Sequence, residues 1–206
     1  MEPSADSFLS IATESRGIYR EKASKFLAIA MPVSTEEEVK TKLNELRKDY
    51  HDANHHCYAY RLGLHAPLYR MNDDGEPAGS AGKPIYGQIL STGLSDVLVV
   101  VIRHFGGTKL GIPGLIHAYK TSAREALDQA EIIEKTIRVQ FRVSFEYAIM
   151  NEIMRILKEE GVKIINQTAG ERCETDFQVR QSQSDRVENR MKRLKDVYIK
   201  IVDFSN

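Results

Sequence analysis

Three short segments concentrate the unusual residues of the chain. The first is His55-His56-Cys57-Tyr58-Ala59-Tyr60-Arg61. The second is Asn72-Asp73-Asp74-Gly75-Glu76-Pro77-Ala78-Gly79-Ser80-Ala81-Gly82-Lys83-Pro84. The third is Arg103-His104-Phe105-Gly106-Gly107-Thr108-Lys109-Leu110-Gly111-Ile112-Pro113-Gly114-Leu115. The second and third are Gly-rich and each leads into a helical pattern. Glycine lets successive backbone N–H groups converge, and a helix start adds unpaired donors and partial positive charge. Gly79, Ser80, Gly82 and Lys83 in one loop, and Gly106, Gly107, Thr108 and Lys109 in the other, are therefore candidates for a phosphate or nucleic-acid site. Arg61, Arg103 and His104 add positive charge nearby. The competing reading is that the glycines only make tight turns and close contacts. Neither loop contains G-x-x-x-x-G-K-[ST] or G-x-G-x-x-G.

For proton chemistry the candidates are His56, Asp74, Lys83 and His104. No G-x-S-x-G elbow or H-E-x-x-H motif accompanies them, so the sequence leans away from an enzyme without deciding the matter. Asp73, Asp74 and Glu76 are the candidates for a hard cation such as Mg²⁺, although their spacing fits no EF-hand. Hydrogen bonding to loop amides, or pairing with Arg61, Arg70 or Arg103, competes with that role. His55-His56-Cys57 lacks the CxxC or HxxxH partner of a zinc site. A Cys57–His104 nucleophile pair competes with an inert buried thiol. No cofactor is expected.

These segments need positioning elements. Residues 55–62 read as a strand, with Tyr58 and Tyr60 on one face and Cys57, Ala59 and Arg61 on the other. Leu68–Met71 reads as its hairpin partner. Val97–His104 reads as a buried strand, ahead of a helix with Pro113 in its first turn, running to about Glu131. Before these come strand-like stretches at Phe8–Ala12 and Lys25–Val33. A helix follows, with Ser34 as N-cap, Glu37 completing a capping box, and an apolar stripe of Val39, Leu43, Leu46 and Tyr50. Beyond Lys135 the pattern becomes strand, helix, strand, strand, helix, strand: a ferredoxin-like split βαβ order. Its Met-bearing helix faces read as core packing ahead of a partner groove.

The 206 residues balance 29 basic against 29 acidic side chains, which excludes a histone-like, whole-surface nucleic-acid binder. Any polyanion site must be local. The longest aliphatic run, Val97–Ile102, is far below the roughly 20 residues of a membrane helix. No secretion signal is visible, and two distant cysteines read as free thiols of a reducing cytoplasm. Ten of the 13 glycines fall between Gly63 and Gly114, so the chemistry-bearing half precedes a plainer one. The expected domains are 1–134 and 135–206.

HHCYAYR, NDDGEPAGSAGKPI and DVLVVVIRHFGGTKLGIPGL, followed by AYKTSAREAL, resemble the IMPACT family in its bacterial, YigZ-like branch. The resemblance implies an α+β protein of two domains. The N-terminal one would be a left-handed βαβ sandwich of the ribosomal-protein and elongation-factor-G domain IV type. The C-terminal one would be ferredoxin-like, as in the fifth domain of that factor. It further implies a cytoplasmic, translation-linked regulatory protein that binds RNA or ribosome phosphates through a Gly-rich, basic groove of residues 55–114. Eukaryotic members damp a starvation-activated initiation-factor kinase, a pathway bacteria lack. A small-molecule enzyme or phosphate-ligand binder using the same groove, and a protein-interaction module, are the alternatives. No membrane partner is expected. One departure is visible. Where the family has a small residue and two glycines, this chain has Ile112-Pro113-Gly114, and proline has no amide to donate.

Overall fold

The computed structural model describes residues 6–63 and 67–205. It is a mixed α+β structure that divides into two compact units, Phe8–Glu134 and Lys135–Asn206 with Met1–Ser7.

The apolar run at 97–102 becomes the middle of the first unit. It forms β6 (Val97–His104), flanked by β3 (Ser24–Pro32) and β4 (His55–Leu62), with β2 (Ser15–Glu21) and β5 (Leu68–Asn72) at the edges. All neighbouring strands are antiparallel. Side chains alternate across a strand, so the sheet has two buried faces. Leu27, Ile29, Tyr58, Tyr60, Leu98, Val100 and Ile102 pack on α1 (Glu36–Asp49) through Val39, Leu43 and Leu46. Phe26, Ala28, Cys57, Ala59, Val99 and Val101 pack on α2 (Gly82–Thr92) and α3 (Gly111–Asp128). A short strand β1 (Ser7–Ile11) pairs with β7 (Ile132–Thr136). Among the described residues no helix is long and apolar enough to cross a membrane.

Two local readings shift. The capping box of α1 lies one residue later than Ser34 and Glu37. Thr35 is the N-cap and accepts the Glu38 amide at 3.2 Å, while Glu38 accepts the Ser34 amide at 2.7 Å. Strand β2 carries no hairpin signature. Its turn to β3 is Lys22-Ala23, with φ of 45° and 63°. Both residues occupy the left-handed region where Asn-Gly is the usual choice. The turn is pressed from the other side. A Cβ on Gly106 would lie 2.1 Å from the Ala23 carbonyl carbon, so only glycine fits there. The Gly106 amide also donates to Ser24 Oγ at 3.1 Å.

In the second unit β8 (Arg138–Phe145), α4 (Met150–Glu159), β9 (Lys163–Thr168), β10 (Cys173–Arg180), α5 (Gln181–Lys192) and β11 (Tyr198–Ser205) follow in the βαββαβ order. The sheet order is β11-β8-β10-β9, with antiparallel neighbours. Met191 is fully buried, and Met150 and Met154 pack against the same core. Buried Glu160 joins α4 to α5 by accepting from Arg186 and Arg190, which hold its carboxyl below the usual range. The chain start groups with this unit, whereas the sequence placed it in the first domain. The Ile137 amide donates to the Asp6 carbonyl, and Ser182 Oγ donates to the Asp6 carboxylate.

Ala23→Gly should stabilise the first unit by about 1 kcal/mol, because a non-glycine residue in the left-handed region costs about that much. Gly106→Ala should destabilise it by about 1–3 kcal/mol through overpacking. Urea unfolding of the full chain monitored by tyrosine signals reads both.

Candidate functional site

The β4–β6 register places His55 opposite Arg103. Both stand at the same end of the sheet as the turn after β5. There the run Asp73-Asp74-Gly75-Glu76 folds back, and its three carboxylates go three different ways.

Asp73 turns into the next loop. Its carboxylate accepts from the amides of Gly79 at 2.9 Å, Ala81 at 3.0 Å and Gly82 at 2.8 Å. The convergent amides at the start of α2 are therefore filled by the chain's own anion. Ser80 is buried and its hydroxyl donates to the Pro77 carbonyl at 2.7 Å. A Cβ on Gly82 would lie 2.7 Å from the Asn72 amide nitrogen, so that glycine serves close packing. Gly79, Ser80 and Gly82 thus offer nothing to an external phosphate. Lys83 is exposed on the first turn of α2 and outside the cavity described below.

Asp74 accepts the His56 amide at 2.7 Å and lies 3.4 Å from Arg47. Its carbonyl meets His55 Nδ1 at 2.8 Å. Glu76 turns inward, with its side chain 4% exposed. Glu76 Oε1 accepts from Arg103 Nη1 at 2.6 Å and from the Tyr119 hydroxyl at 2.7 Å. His55 Nε2 is 3.9 Å away. The Arg103 guanidinium lies 5.3 Å from the Phe26 ring centroid and 5.4 Å from that of Phe105. Cys57 Sγ lies 3.3 Å from the Tyr119 hydroxyl and 3.0 Å from the Asp73 carbonyl, the two acceptors within reach of its single S–H. The candidate cation ligands Asp73, Asp74 and Glu76 thus diverge, each bound to N–H or O–H donors. Among the described residues no three His, Cys, Asp or Glu side chains are grouped to hold a metal ion.

The acid–base candidates do not converge either. His56 and His104 share the α1 face of the sheet, whereas Arg103 and Cys57 share the opposite face. His104 Nε2 is 3.4 Å from Asp52, and burial lowers the His56 pKa. Burial pushes the Cys57 thiol up to about 12, so it is no thiolate nucleophile at neutral pH, and His104 faces away from it. Burial likewise raises the Tyr119 hydroxyl. Arg61 stands at the far end of β4, six residues from His55, or roughly 20 Å at the usual strand rise. Its Nη1 donates to the Leu94 carbonyl at 3.1 Å. Arg61, Lys83, Arg103 and Lys109 therefore do not form one patch.

A cavity of about 440 Å³ opens above the Glu76–Arg103 pair. It draws from all three segments: Asn54 and His55 at the start of β4, Glu76 and Pro77, then Arg103, Phe105, Lys109–Ile112 and Leu115. Gly107 and Thr108 lie on its outer, exposed loop, and Gly106 is sealed against Ala23. Helix α3 starts at this cavity without a side-chain cap and without an acidic residue in its first turn. Asn54 and Tyr119 were not read from the sequence as site residues. Asn54 directly precedes the first segment; Phe105, an aromatic near the loops, and the apolar Ile112, at the one visible departure from the family pattern, both lie inside the third.

The unit that carries these three motifs matches the family model of the Impact N-terminal domain over residues 22–127. The chain is 34% identical over 147 residues to IMPACT family member YigZ of Escherichia coli, covering 70% of this chain and 72% of that protein. It is 36% identical over 136 residues to IMPACT family member YvyE of Bacillus subtilis, covering 66% of this chain and 63% of that protein. A crystal structure described as that of a hypothetical protein superimposes with a TM-score of 0.74 at 26% identity, covering 97% of this chain and 99% of the other. The chain belongs to the IMPACT family, and it resembles the bacterial YigZ-like members.

Removing one partner of a buried ion pair strands the other, so Glu76→Ala should cost about 3–5 kcal/mol. The double substitution Glu76→Leu with Arg103→Leu should cost less than Glu76→Ala alone; denaturant melts of the three proteins give the comparison. Both thiols are buried, Cys57 fully and Cys173 at 1% exposure. Ellman's reagent at pH 8 should therefore find no fast thiol in the native chain and two after denaturation. A rapidly labelled Cys57 in native protein would contradict the inert-thiol assignment.

Proposed function

We propose that this chain is a cytoplasmic, translation-linked regulatory protein that contacts RNA or ribosome phosphates through its first unit. Membership of the IMPACT family supports the link to translation. The same reading assigns the first unit to the βαβ sandwich of the ribosomal-protein and elongation-factor type, the second to the ferredoxin-like type, and a domain boundary near Lys135.

One observation carries the phosphate contact, and it moves the footprint. Register pairs Arg20 with Lys25 across β2–β3 and Lys25 with His104 across β3–β6. Directly paired residues share a face, so the three side chains form a cross-strand row at the loop end of the sheet. Lys22 occupies the strained turn beside them, against the loop that carries Lys109. Among the described residues Arg20, Lys22, Lys25 and Lys109 have no acidic partner within ion-pair distance. The uncommitted cations of the β2–β3 hairpin, with Lys109 on the adjoining loop, suit a local polyanion contact, in a chain whose net charge excludes a global one. The buried Arg103 is neutralised by Glu76 and contributes no net charge.

About three or four neutralised phosphates give a slope of log K against log salt of roughly −3. Affinity for purified ribosomes or a ribosomal RNA fragment should then fall on the order of tenfold to a hundredfold between about 50 and 200 mM salt. The triple substitution Lys22→Ala, Lys25→Ala, Lys109→Ala should flatten that slope by about two to three units, roughly one per lost contact. Lys83→Ala and Lys192→Ala should leave it unchanged. A triple variant that binds like the parent chain, or no binding at the lower salt, would remove this reading.

A further inference from the structure

We infer that the cavity above the Glu76–Arg103 pair binds a single unpaired nucleotide, with its base against Phe105 and its phosphate at Lys109 and the start of α3. This rests on the RNA-contact reading above and specifies what one part of that surface would hold.

The argument begins with Arg103. It is 5% exposed, uses Nη1 on Glu76, and its Nε has no partner. A buried guanidinium with unmet donors lining a cavity points to a ligand with acceptor atoms. The ring of Phe105 is the second element. It is 45% exposed, although the Arg103 guanidinium lies 5.4 Å from its centroid. The backbone that carries the ring is also held: the Phe105 backbone amide donates to Asn54 Oδ1 at 2.7 Å, and the Asn54 backbone amide donates to the Arg103 carbonyl at 2.9 Å. A held aromatic ring with an exposed surface is a stacking platform, and every base has a π-face to offer it. Exposed Ile112 supplies the apolar wall.

Polar groups divide between two sides. Asn54 has its amide NH₂ left to donate, and Glu76 and His55 lie beside it. That side matches the mixed donor and acceptor edge of a base. The other side has Lys109 and the uncapped α3 start, both suited to a dianion. Pro113 removes one amide there, which limits the anion contact to Lys109 and the first residues of the helix. A volume of about 440 Å³ lies within the range of small-ligand sites.

The test is a titration of the full chain with each of the four ribonucleoside 5′-monophosphates, followed by backbone amide shifts and calorimetry. Inorganic phosphate and the phosphate-free nucleosides are titrated in parallel. The expected result is millimolar or tighter binding of at least one monophosphate, with shifts at Asn54, Phe105, Gly111 and Ile112. Phosphate alone and nucleoside alone should each bind at least about tenfold more weakly, since each forfeits one half of the contacts. Phe105→Ala should weaken the monophosphate about fivefold or more, the loss expected for one stacked base. Ile112→Glu, at a site 54% exposed, should abolish binding without unfolding the chain. Phosphate binding as well as the nucleotide, an ineffective Phe105→Ala, or no shifts at millimolar nucleotide each overturn the inference. Salt-dependent ribosome binding alongside a nucleotide failure would sink the cavity assignment alone. Loss of both would sink the RNA reading too.

Discussion

A single buried guanidinium organises the first unit. Arg103 ends the central strand on a face otherwise made of Phe26, Cys57 and aliphatic side chains. An unpaired charge there would cost several kcal/mol, so the fold must bring it an anion. Glu76 meets this need, which explains why the turn after β5 folds inward. Because Glu76 also accepts from Tyr119, the same contact fixes α3 to the sheet. The Cys57 thiol lies within reach of both the Tyr119 hydroxyl and the Asp73 carbonyl. Three sequence-distant segments are thereby tied through one carboxylate.

The acidic turn is the counterpart of that constraint. Asp73 fills the amide nest before α2, Asp74 anchors the first residues of β4, and Glu76 neutralises Arg103. Each of the three carboxylates is directed at the protein itself. Beside the cavity, the positive features left facing outward include the α3 start, Lys109, and the cations of the β2–β3 hairpin.

Much of the scaffold was legible in the sequence. Helical spacing marked α1, the apolar run marked β6, and alternation marked the βαββαβ order of the second unit. Strand β2 was not legible, because its turn uses Lys22-Ala23 in a conformation that Asn-Gly ordinarily announces. Its stability comes from contact with Gly106, about 80 residues away in sequence. At the site, alternation along β4 already separated His55 from His56, but only the β4–β6 register showed which faced Arg103. The role of Asp73 was ambiguous in principle. A glycine-rich loop with a neighbouring carboxylate reads equally as a site for an external anion and as one already filled, and the three amide distances decide between them.

The departure at Ile112-Pro113-Gly114 acquires a physical meaning in this frame. A glycine-rich helix start presents several amides and behaves as a general anion seat. Here Pro113 withholds one amide, and Ile112 replaces a small residue with an exposed aliphatic wall. The change removes one amide donor from any bare anion and adds an aliphatic wall to the cavity that Phe105 also lines, as the proposed stacked base requires. Glu76 adds to that bias. Its charge is balanced by Arg103, but it still lies at the cavity floor and disfavours an anion placed deep within. In the proposed seat the anionic group therefore belongs at the Lys109 rim and the neutral ring in the interior. That separation of rim from floor distinguishes a nucleotide seat from a simple phosphate hole.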